Sequence, residues 1–445
     1  MLSDVEDLAK ALQKIVKKQA RNYIEILRTI IKCKSVNPIF DNTSTEERCQ
    51  RLIADFLNTL GYQIYLEEPC MAKLKKYEGL PGHIPGRNFK GRPNLIAIPP
   101  SSELKQNLLL FAGHIDTVGG NDPGWDTDPF SATIKNNHVF GRGTVDMKGA
   151  ISAMLCALHT LTEFRLTPCV AFSSVVDEEA GGTGMLALAD FLSSRPGVIG
   201  GALLGEPTHL SIATISRGIL WGKIRVNGRS GHIEVRQPSW RKGGAVDAIE
   251  KSLYVIKAIR QLNRDWAKSG RKKDPLLPRP CRVEIAEIHG GHAPTSFAAQ
   301  CELTINIQYL PSEQDERGTG SLVKREFENF LKKVAEKDAW LKHNPPIVEW
   351  ILDADSYKID PGHPLVKLCQ QAMKLSGKRV QLSGVETHTD ARALNAVAKI
   401  PVVILGPGHM HLAHQANERL SIKEYLDSIY IYALIGALWT QEKKL

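Results

Sequence analysis

Short segments of small and apolar residues alternate with helical patterns along the first half of the chain. Such segments cover Leu108–Ala112, Val170–Val176 and the ALLG sequence that begins at Ala202. Because they show no polar alternation, they predict strands that are buried on both faces. Between the first two segments, residues 148–161 (KGAISAMLCALHTL) favour a helix whose small side chains pack closely on a sheet. This alternation predicts an α/β domain with a mostly parallel sheet.

The pattern changes near residue 214. An alternating strand, a helix, two further strands and a second helix follow each other in a βαββαβ-like order. This order predicts a smaller α+β domain of the ferredoxin-like kind over residues 214–354, inserted into the first domain. The α/β pattern then resumes, so the first domain is predicted to comprise residues 1–213 and 355–445.

The composition is typical of a soluble globular protein. Of the 445 residues, 42% are hydrophobic and 24% charged, and no uncharged apolar run is long enough to cross a bilayer. The first thirty residues lack the apolar core of a secretion signal, so we expect a cytoplasmic protein. The eight cysteines form no CxxC pair and are expected to be reduced thiols. The net charge of +9 lies on basic clusters without interleaved aromatic residues, which favours a solvated surface over nucleic-acid binding.

Three consecutive acids end one of the apolar strands. Asp177, Glu178 and Glu179 follow Val170–Val176 and precede a glycine-rich turn, although burial penalises unpaired charge. Similar candidates lie at the other strand ends and in the loops beyond them: His114, Asp116, Asp146, Glu206 and His414. Taken singly, each is more typical of a turn or a solvated surface. Ligands of open α/β sheets bind at the carboxyl ends of the strands, so their common position favours one shared site.

The chemistry of these side chains indicates a metal site. Imidazole nitrogens and carboxylate oxygens without cysteine suit catalytic zinc, cobalt or manganese. Two ions that share a bridging carboxylate would lie about 3.5–4 Å apart, where they polarise a carbonyl and lower the pKa of bound water.

Five motifs occur in a familiar order: GHIDTV, GRGTVDMKGA, DEEAGGTG, GEPT and AHQANE. Together they resemble the acetylornithine deacetylase and succinyl-diaminopimelate desuccinylase family, which also contains carboxypeptidase G and the aminoacylases. The resemblance extends from about residue 25 to 440. It implies two catalytic metal ions, most simply Zn2+, in the α/β domain. It also implies a satellite domain that covers the site and mediates a homodimer.

By position, the resemblance assigns the metal ligands. Asp146 corresponds to the bridging ligand of the two ions. His114 and Glu206 would complete one metal site. Glu179 and His414 would complete the other.

The resemblance also assigns roles beyond the ligands. Glu178 would be the general base and acid, and Asp116 would orient the His114 ring. His232 matches a satellite-domain histidine that reaches across the dimer to the oxyanion, and Arg392 matches a position that binds a substrate carboxylate. Without the family pattern, His232 would be read as a surface hairpin residue.

The satellite segment departs from the family pattern. Thr295, a predicted substrate contact, replaces an asparagine, Ala298 replaces a proline, and Gln308 replaces an arginine. These changes put the usual amino-acid-like substrate in question while leaving the metal ligands intact.

The predicted function is hydrolysis of an acyl–nitrogen bond. A metal-dependent amidohydrolase would remove an acetyl, formyl or succinyl group from a small amino-acid-like substrate. The alternative enzyme is a dipeptidase or carboxypeptidase with the same site. The alternative from another class is an inactive relative that only binds a ligand. The acyl group, the amine and the native metal stay open at this point.

Overall fold

A computed structural model of the chain describes residues 5–100 and 107–442. The chain forms two compact units. The first contains the described residues up to Thr214, Lys358–Gly384 and those from Thr389 onward, and the second contains Ile215–Tyr357 and Val385–His388. That these units act as a catalytic and a dimerisation domain stays a prediction.

The described residues form the following regular elements, numbered in chain order. The helices are α1 (Val5–Lys32), α2 (Glu47–Thr59), α3 (Met71–Leu74), α4 (Lys148–Glu163), α5 (Thr183–Ser193), α6 (Ala248–Ser269), α7 (Ser321–Ala335), α8 (Pro364–Leu375), α9 (Ala391–Ala398) and α10 (Ile422–Glu442). The strands are β1 (Gln63–Glu67), β2 (Asn94–Ile98), β3 (Leu108–His114), β4 (Thr133–Lys135), β5 (His138–Phe140), β6 (Val170–Val175), β7 (Ile199–Leu204), β8 (Ile212–Ser216), β9 (Gly218–Asn227), β10 (Val283–Gly290), β11 (Gln300–Tyr309), β12 (Ile347–Ala354), β13 (Tyr357–Lys358), β14 (Leu382–Val385), β15 (Val402–Ile404) and β16 (Arg419–Ser421).

The apolar segments of the sequence form the centre of the large sheet. The strand order runs β1-β2-β6-β3-β7-β15-β8, and β13 and β14 complete the nine strands. β3 is parallel to both neighbours, so that Phe111 is paired with Phe172 of β6 and Leu203 of β7. β15 continues the parallel part, while β1 and β2 are antiparallel at one edge. The predicted α/β fold with a mostly parallel sheet is therefore confirmed.

Helices cover this sheet and explain the missing polar alternation. Every residue of β3 and β6 is buried, and α4 and α5 contact these two strands. α4 in turn packs against α1 and α10. A small sheet of β16, β5 and β4 belongs to the same unit. β3 and β6, at the centre of the large sheet, are buried throughout their length, and polar residues begin at their ends.

Close packing at the end of β3 brings a loop onto the strand. A Cβ atom on Gly113 would lie only 2.4 Å from Cε of Met147, so glycine lets the Met147 side chain pack directly on the strand. Met147 follows Asp146 directly, and His114 follows Gly113. The contact between Gly113 and Met147 therefore sets Asp146 beside His114.

The second unit is built on an antiparallel sheet. The chain runs β9, α6, β10, β11, α7, β12, and the strand order is β10-β11-β9-β12. Buried and more exposed residues alternate along β9, and its buried face joins a core that includes Leu220, Ile224, Val255 and Phe327. This topology is ferredoxin-like, so the predicted fold of the insertion is confirmed.

Across residues 5–100 and 107–442, no helix combines the length and the apolar character needed to span a membrane.

Candidate metal centre

His114 forms the centre of the polar cluster at the end of β3. Its ring is 1% exposed, and Nε2 lies 3.0 Å from Oδ1 of Asp146. The other ring nitrogen, Nδ1, lies 3.0 Å from the carbonyl oxygen of Asp116 and 3.5 Å from its carboxylate. The contact at Nδ1 leaves Nε2 directed toward Asp146. This is the arrangement in which a histidine presents one nitrogen to a metal ion while the other is held by the protein.

Asp116 also organises the turn after β6. Its fully buried carboxylate accepts hydrogen bonds from the backbone N–H groups of Glu178 and Glu179, at 3.2 and 3.1 Å. The side-chain amide of Asn37 donates a third hydrogen bond at 2.8 Å. Asp116 thus holds the histidine through its carbonyl oxygen and the turn of the two glutamates through its carboxylate.

The remaining candidate ligands meet at Asp146. Nε2 of His414 lies 3.4 Å from Oδ2 of Asp146 and 3.0 Å from Oε2 of Glu179. Oε1 of Glu206 lies 3.9 Å from Nε2 of His114. The five side chains form two groups, and within each group the ligand atoms lie within 4.8 Å of one another: His114, Asp146 and Glu206, and Asp146, Glu179 and His414. Asp146 belongs to both groups through its two oxygens.

The donor set fits metal cations. Oε1 of Glu179 and Oε1 of Glu206 are buried and have no hydrogen-bond partner, a state that is costly for a carboxylate oxygen unless a cation is bound. Burial raises the pKa of Glu206 well above its usual range, and the nearby Asp146 raises it further. At His414, hydrogen bonds to Asp146 and Glu179 outweigh the effect of burial and raise the pKa to about 11. Both raised pKa values mean that the cluster favours bound protons, and divalent ions would take the place of those protons at the same oxygen and nitrogen atoms.

Glu178 stands apart from the ligands. Its carboxylate belongs to neither of the two groups and lies 3.9 Å from Nε2 of His114. Burial raises its pKa well above the usual range for a glutamate. The preceding residue, Asp177, has a positive φ of 69° and pairs with Arg92 at 3.2 Å. The turn therefore gives three adjacent acids three different environments.

Two acids of this site were missed in the sequence analysis. Asp390 lies at the start of α9, is 2% exposed, and has an oxygen within 4.8 Å of one of Glu178. Burial raises the pKa of Asp390 to about 8. Glu418 accepts hydrogen bonds from the backbone N–H groups of Val145 and Asp146, at 2.7 and 3.2 Å. Glu418 ends the AHQANE motif, and that position was the available signal.

The other predicted site residues have different surroundings. Arg392 is the second residue of α9 in the first unit. His232 and Thr295 are exposed residues of the second unit. A β-bridge joins His232 to Ser296, and the carbonyl oxygen of Thr295 accepts a hydrogen bond from the next residue after His232. The roles of these three residues toward a substrate stay predictions.

Comparison with known proteins extends over the whole chain. It is 28% identical over 459 aligned positions to N-formyl-4-amino-5-aminomethyl-2-methylpyrimidine deformylase of Bacillus subtilis, with 98% of each chain covered. It is 33% identical to the protein of the same name from Halalkalibacterium halodurans, covering 76% of this chain and 80% of that protein.

Solved structures share the fold at lower identity. Human carnosine dipeptidase 1 matches with a TM-score of 0.73 and 17% identity, over 98% of this chain and 99% of the other. A tripeptidase from Staphylococcus aureus matches with a TM-score of 0.67 and 20% identity, over 95% and 99%.

The profile of peptidase family M20/M25/M40 matches residues 110–436, which is more than half of the chain. This match confirms the family resemblance and the enzyme class that the five motifs predicted. The chain belongs to peptidase family M20/M25/M40 and is a metal-dependent hydrolase of amide C–N bonds.

Proposed function

We propose that the chain removes the formyl group from an N-formyl aminomethylpyrimidine, releasing formate and the free amine. The observation that carries this proposal is the full-length similarity to a protein named for that reaction, at 28% identity over 98% of both chains. A second similar protein of the same name, at 33% identity, supports it. Of the acyl groups that the sequence left open, acetyl, formyl and succinyl, this similarity favours formyl.

Five side chains of the first unit would hold two divalent ions. His114 and Glu206 would bind one ion, Glu179 and His414 the other, and Asp146 both. When bound, the ions would lower the pKa of a water molecule and polarise the formyl carbonyl. Zn2+ is the simplest choice for this nitrogen and oxygen donor set, with Co2+ and Mn2+ as substitutes.

Glu178 would move the proton. It is beside His114 but outside both ligand groups, so its carboxylate stays available to accept a proton from the attacking water. The formyl carbon becomes tetrahedral as the water oxygen adds to it. Glu178 then returns the proton to the amide nitrogen, the C–N bond breaks, and formate and the amine leave.

The second unit would contribute to substrate binding and to the oxyanion. We assign to His232 the stabilisation of the negative charge that develops on the formyl oxygen, in a homodimer. We also expect the protein to act in the cytoplasm. Thr295, which replaces the usual asparagine, would contact the substrate.

The environment of Gln308 supports a substrate without a carboxylate. Oε1 of Gln308 accepts a hydrogen bond from Nη1 of the buried Arg217 at 2.8 Å. Arg217 also donates to the carbonyl oxygen of Arg279 and lies 3.4 Å from Glu386, all within the second unit. The charge of Arg217 is therefore compensated by protein groups. An aminopyrimidine carries no carboxylate that would require an arginine at position 308.

The dipeptidase alternative has weaker support. The dipeptidase and tripeptidase of similar structure are 17% and 20% identical to this chain. Similarity at that level supports a shared fold and not a shared substrate.

The test is a direct comparison of substrates. The full-length protein, reconstituted with Zn2+, would be offered N-formyl-4-amino-5-aminomethyl-2-methylpyrimidine, its N-acetyl analogue, N-acetyl amino acids and dipeptides. We expect formate release from the formyl compound with the highest kcat/KM, and release about 10³-fold slower from a Glu178→Gln preparation made in parallel. A higher kcat/KM on dipeptides would overturn the proposal.

A further inference from the structure

Asp390 is a buried acid of the first unit that the proposed reaction leaves without a role. It directly precedes α9, and it is only 2% exposed. Its Oδ2 atom is buried and has no hydrogen-bond partner among the described residues. An aspartate before a helix usually accepts a hydrogen bond from the backbone of the first turn, but in the described part of the chain Asp390 makes no such bond. A buried carboxyl oxygen without a partner is costly, which indicates that a ligand supplies the missing contact.

Asp390 lies beside the proposed proton carrier of the reaction. One of its oxygens lies within 4.8 Å of an oxygen of Glu178, the residue that would return the proton to the amide nitrogen. Like Glu178, Asp390 belongs to neither of the two groups of proposed metal ligands. When the amide nitrogen of a substrate is at Glu178, a neighbouring group of the same substrate therefore comes within reach of Asp390.

The surroundings of Asp390 favour a carboxyl group that both donates and accepts. Burial raises the pKa of Asp390 to about 8. A protonated carboxyl group presents an O–H donor and a carbonyl acceptor on adjacent oxygen atoms, whereas the ionised group presents acceptors only. Near neutral pH, Asp390 thus offers a donor and an acceptor side by side, within a site that otherwise holds carboxylates and imidazoles.

The substrate of the proposed function, on which this inference rests, has an edge that matches such a group. In N-formyl-4-amino-5-aminomethyl-2-methylpyrimidine, the 4-amino group and the ring nitrogen beside it form an adjacent donor and acceptor. Only two ring carbons and the methylene group separate the amino nitrogen from the amide nitrogen. With the amide nitrogen at Glu178, the amino group can therefore lie at Asp390. Aspartate and glutamate accept hydrogen bonds from the same kind of amino group in cytosine.

We propose that Asp390 determines the specificity for a 4-aminopyrimidine, by pairing its carboxyl group with the 4-amino group and the adjacent ring nitrogen. The carboxyl O–H donates to the ring nitrogen, and the carbonyl oxygen accepts from the amino group. If the shared proton lies on the ring nitrogen instead, the carboxylate accepts from both groups, and the same two hydrogen bonds form. The pair gives the buried Oδ2 its missing partner and holds the amide nitrogen beside Glu178.

The first test compares two substrates on the full-length wild-type protein reconstituted with Zn2+. One is the formyl aminomethylpyrimidine, and the other is its analogue with a methyl group in place of the 4-amino group, which has a similar size but cannot donate. We expect kcat/KM to be about 10- to 100-fold higher for the amino compound, since a bidentate pair discriminates by that factor. Equal values would overturn the inference but leave the proposed function in place. Formate release from neither compound would overturn both.

The second test assigns this discrimination to Asp390. Asp390→Leu has a similar shape but neither donor nor acceptor, so the ratio of the two kcat/KM values should fall by about 10- to 100-fold. Asp390→Asn keeps an adjacent donor and acceptor, and asparagine forms the same bidentate pair with the matching edge of adenine, so the ratio should stay close to that of wild type. Asp55→Asn, at an exposed position of α2, is the matched control.

The zinc content of the same preparations should be equal in all four proteins, because Asp390 belongs to neither group of proposed ligands. A wild-type ratio in Asp390→Leu would overturn the inference. A ratio in Asp390→Asn as low as that in Asp390→Leu would also overturn it, since the amide offers the same two hydrogen bonds. Loss of zinc in either variant would show that Asp390 acts on the metal ions and not on the pyrimidine.

Discussion

Most candidate polar residues of the first unit are buried and those of the second are exposed, although the side chain of His414 in the first unit is 50% exposed. In the first unit, His114, Asp116 and Glu206 are 1%, 0% and 3% exposed at the ends of buried strands. In the second unit, His232 and Thr295 are exposed beside a small antiparallel sheet. A buried charge requires a compensating partner. Buried carboxylate oxygens of Glu179 and Glu206 lack such a partner within the protein, which indicates that a ligand supplies it. Exposed residues carry no such requirement, and their environment alone does not indicate a role.

This difference separates two contributions to the reaction. All five proposed metal ligands and the proposed base lie in the first unit, so metal binding should depend on it alone. The second unit should affect turnover without affecting the metal content. Substitutions in the two units can therefore be told apart by measuring metal and activity on the same protein.

The largest effect is expected for Glu178→Gln in the first unit. The amide has nearly the same shape but cannot accept the proton, so kcat should fall by about 10³-fold. The zinc content should stay at the wild-type value, because Glu178 belongs to neither ligand group. Formate release and metal analysis on one preparation give both values. Glu442→Gln, at an exposed position near the end of α10, is the control. Retained turnover or lost zinc would contradict the role of Glu178.

A somewhat smaller effect is expected for His232→Ala in the second unit. Removing an oxyanion donor typically lowers kcat by about 10²-fold or more, and the zinc content should not change. His289→Ala changes another exposed histidine of the same unit and should leave kcat at the wild-type value. If His232→Ala behaves like His289→Ala, the second unit does not supply the oxyanion contact, and the chemistry belongs to the first unit alone.

Asp116→Asn should lower the affinity for zinc, which the two preceding substitutions are expected to leave unchanged. Asp116 accepts backbone hydrogen bonds from Glu178 and Glu179 and contacts His114, and asparagine removes the charge and part of the accepting capacity. Loss of such a supporting group lowers metal affinity by about 10- to 100-fold. Zinc titration in a competing chelator measures this change. Asp55→Asn, at an exposed position of α2, is the control, and an unchanged zinc affinity in Asp116→Asn would contradict the supporting role.

The sequence was informative where geometry follows from local pattern. The run Leu108–Ala112 predicts a buried strand, and neighbouring parallel strands end at the same edge of a sheet. Residues placed directly after such strands, such as His114 and Glu206, could therefore be expected to lie close together. The βαββαβ order of the insertion predicted its fold in the same way, since each element is visible in its own periodicity.

Other parts of the site depend on contacts that no local pattern reveals. Asp390 is buried near Glu178 because α9 begins there, although the two residues are more than 200 positions apart. The distance between such segments is set by tertiary packing, and a single sequence contains no direct signal for it.

The smallest effect is expected for Arg392, and it tests whether this residue binds a carboxylate of the substrate. If Arg392 binds a substrate carboxylate, Arg392→Gln should lower kcat/KM for an N-formyl amino acid about 10-fold more than for the N-formyl aminomethylpyrimidine, which has no carboxylate. The ratio of the two values is the measurement. Arg392 also takes part in interactions within the protein, and a general loss of stability would lower both values and cancel in the ratio.

Arg392→Lys keeps the charge but not the planar fork, so its ratio should fall between those of wild type and Arg392→Gln. An unchanged ratio in both variants would show that Arg392 does not recognise a carboxylate. Its place at the start of α9, two residues after the buried Asp390, would then be a matter of structure alone.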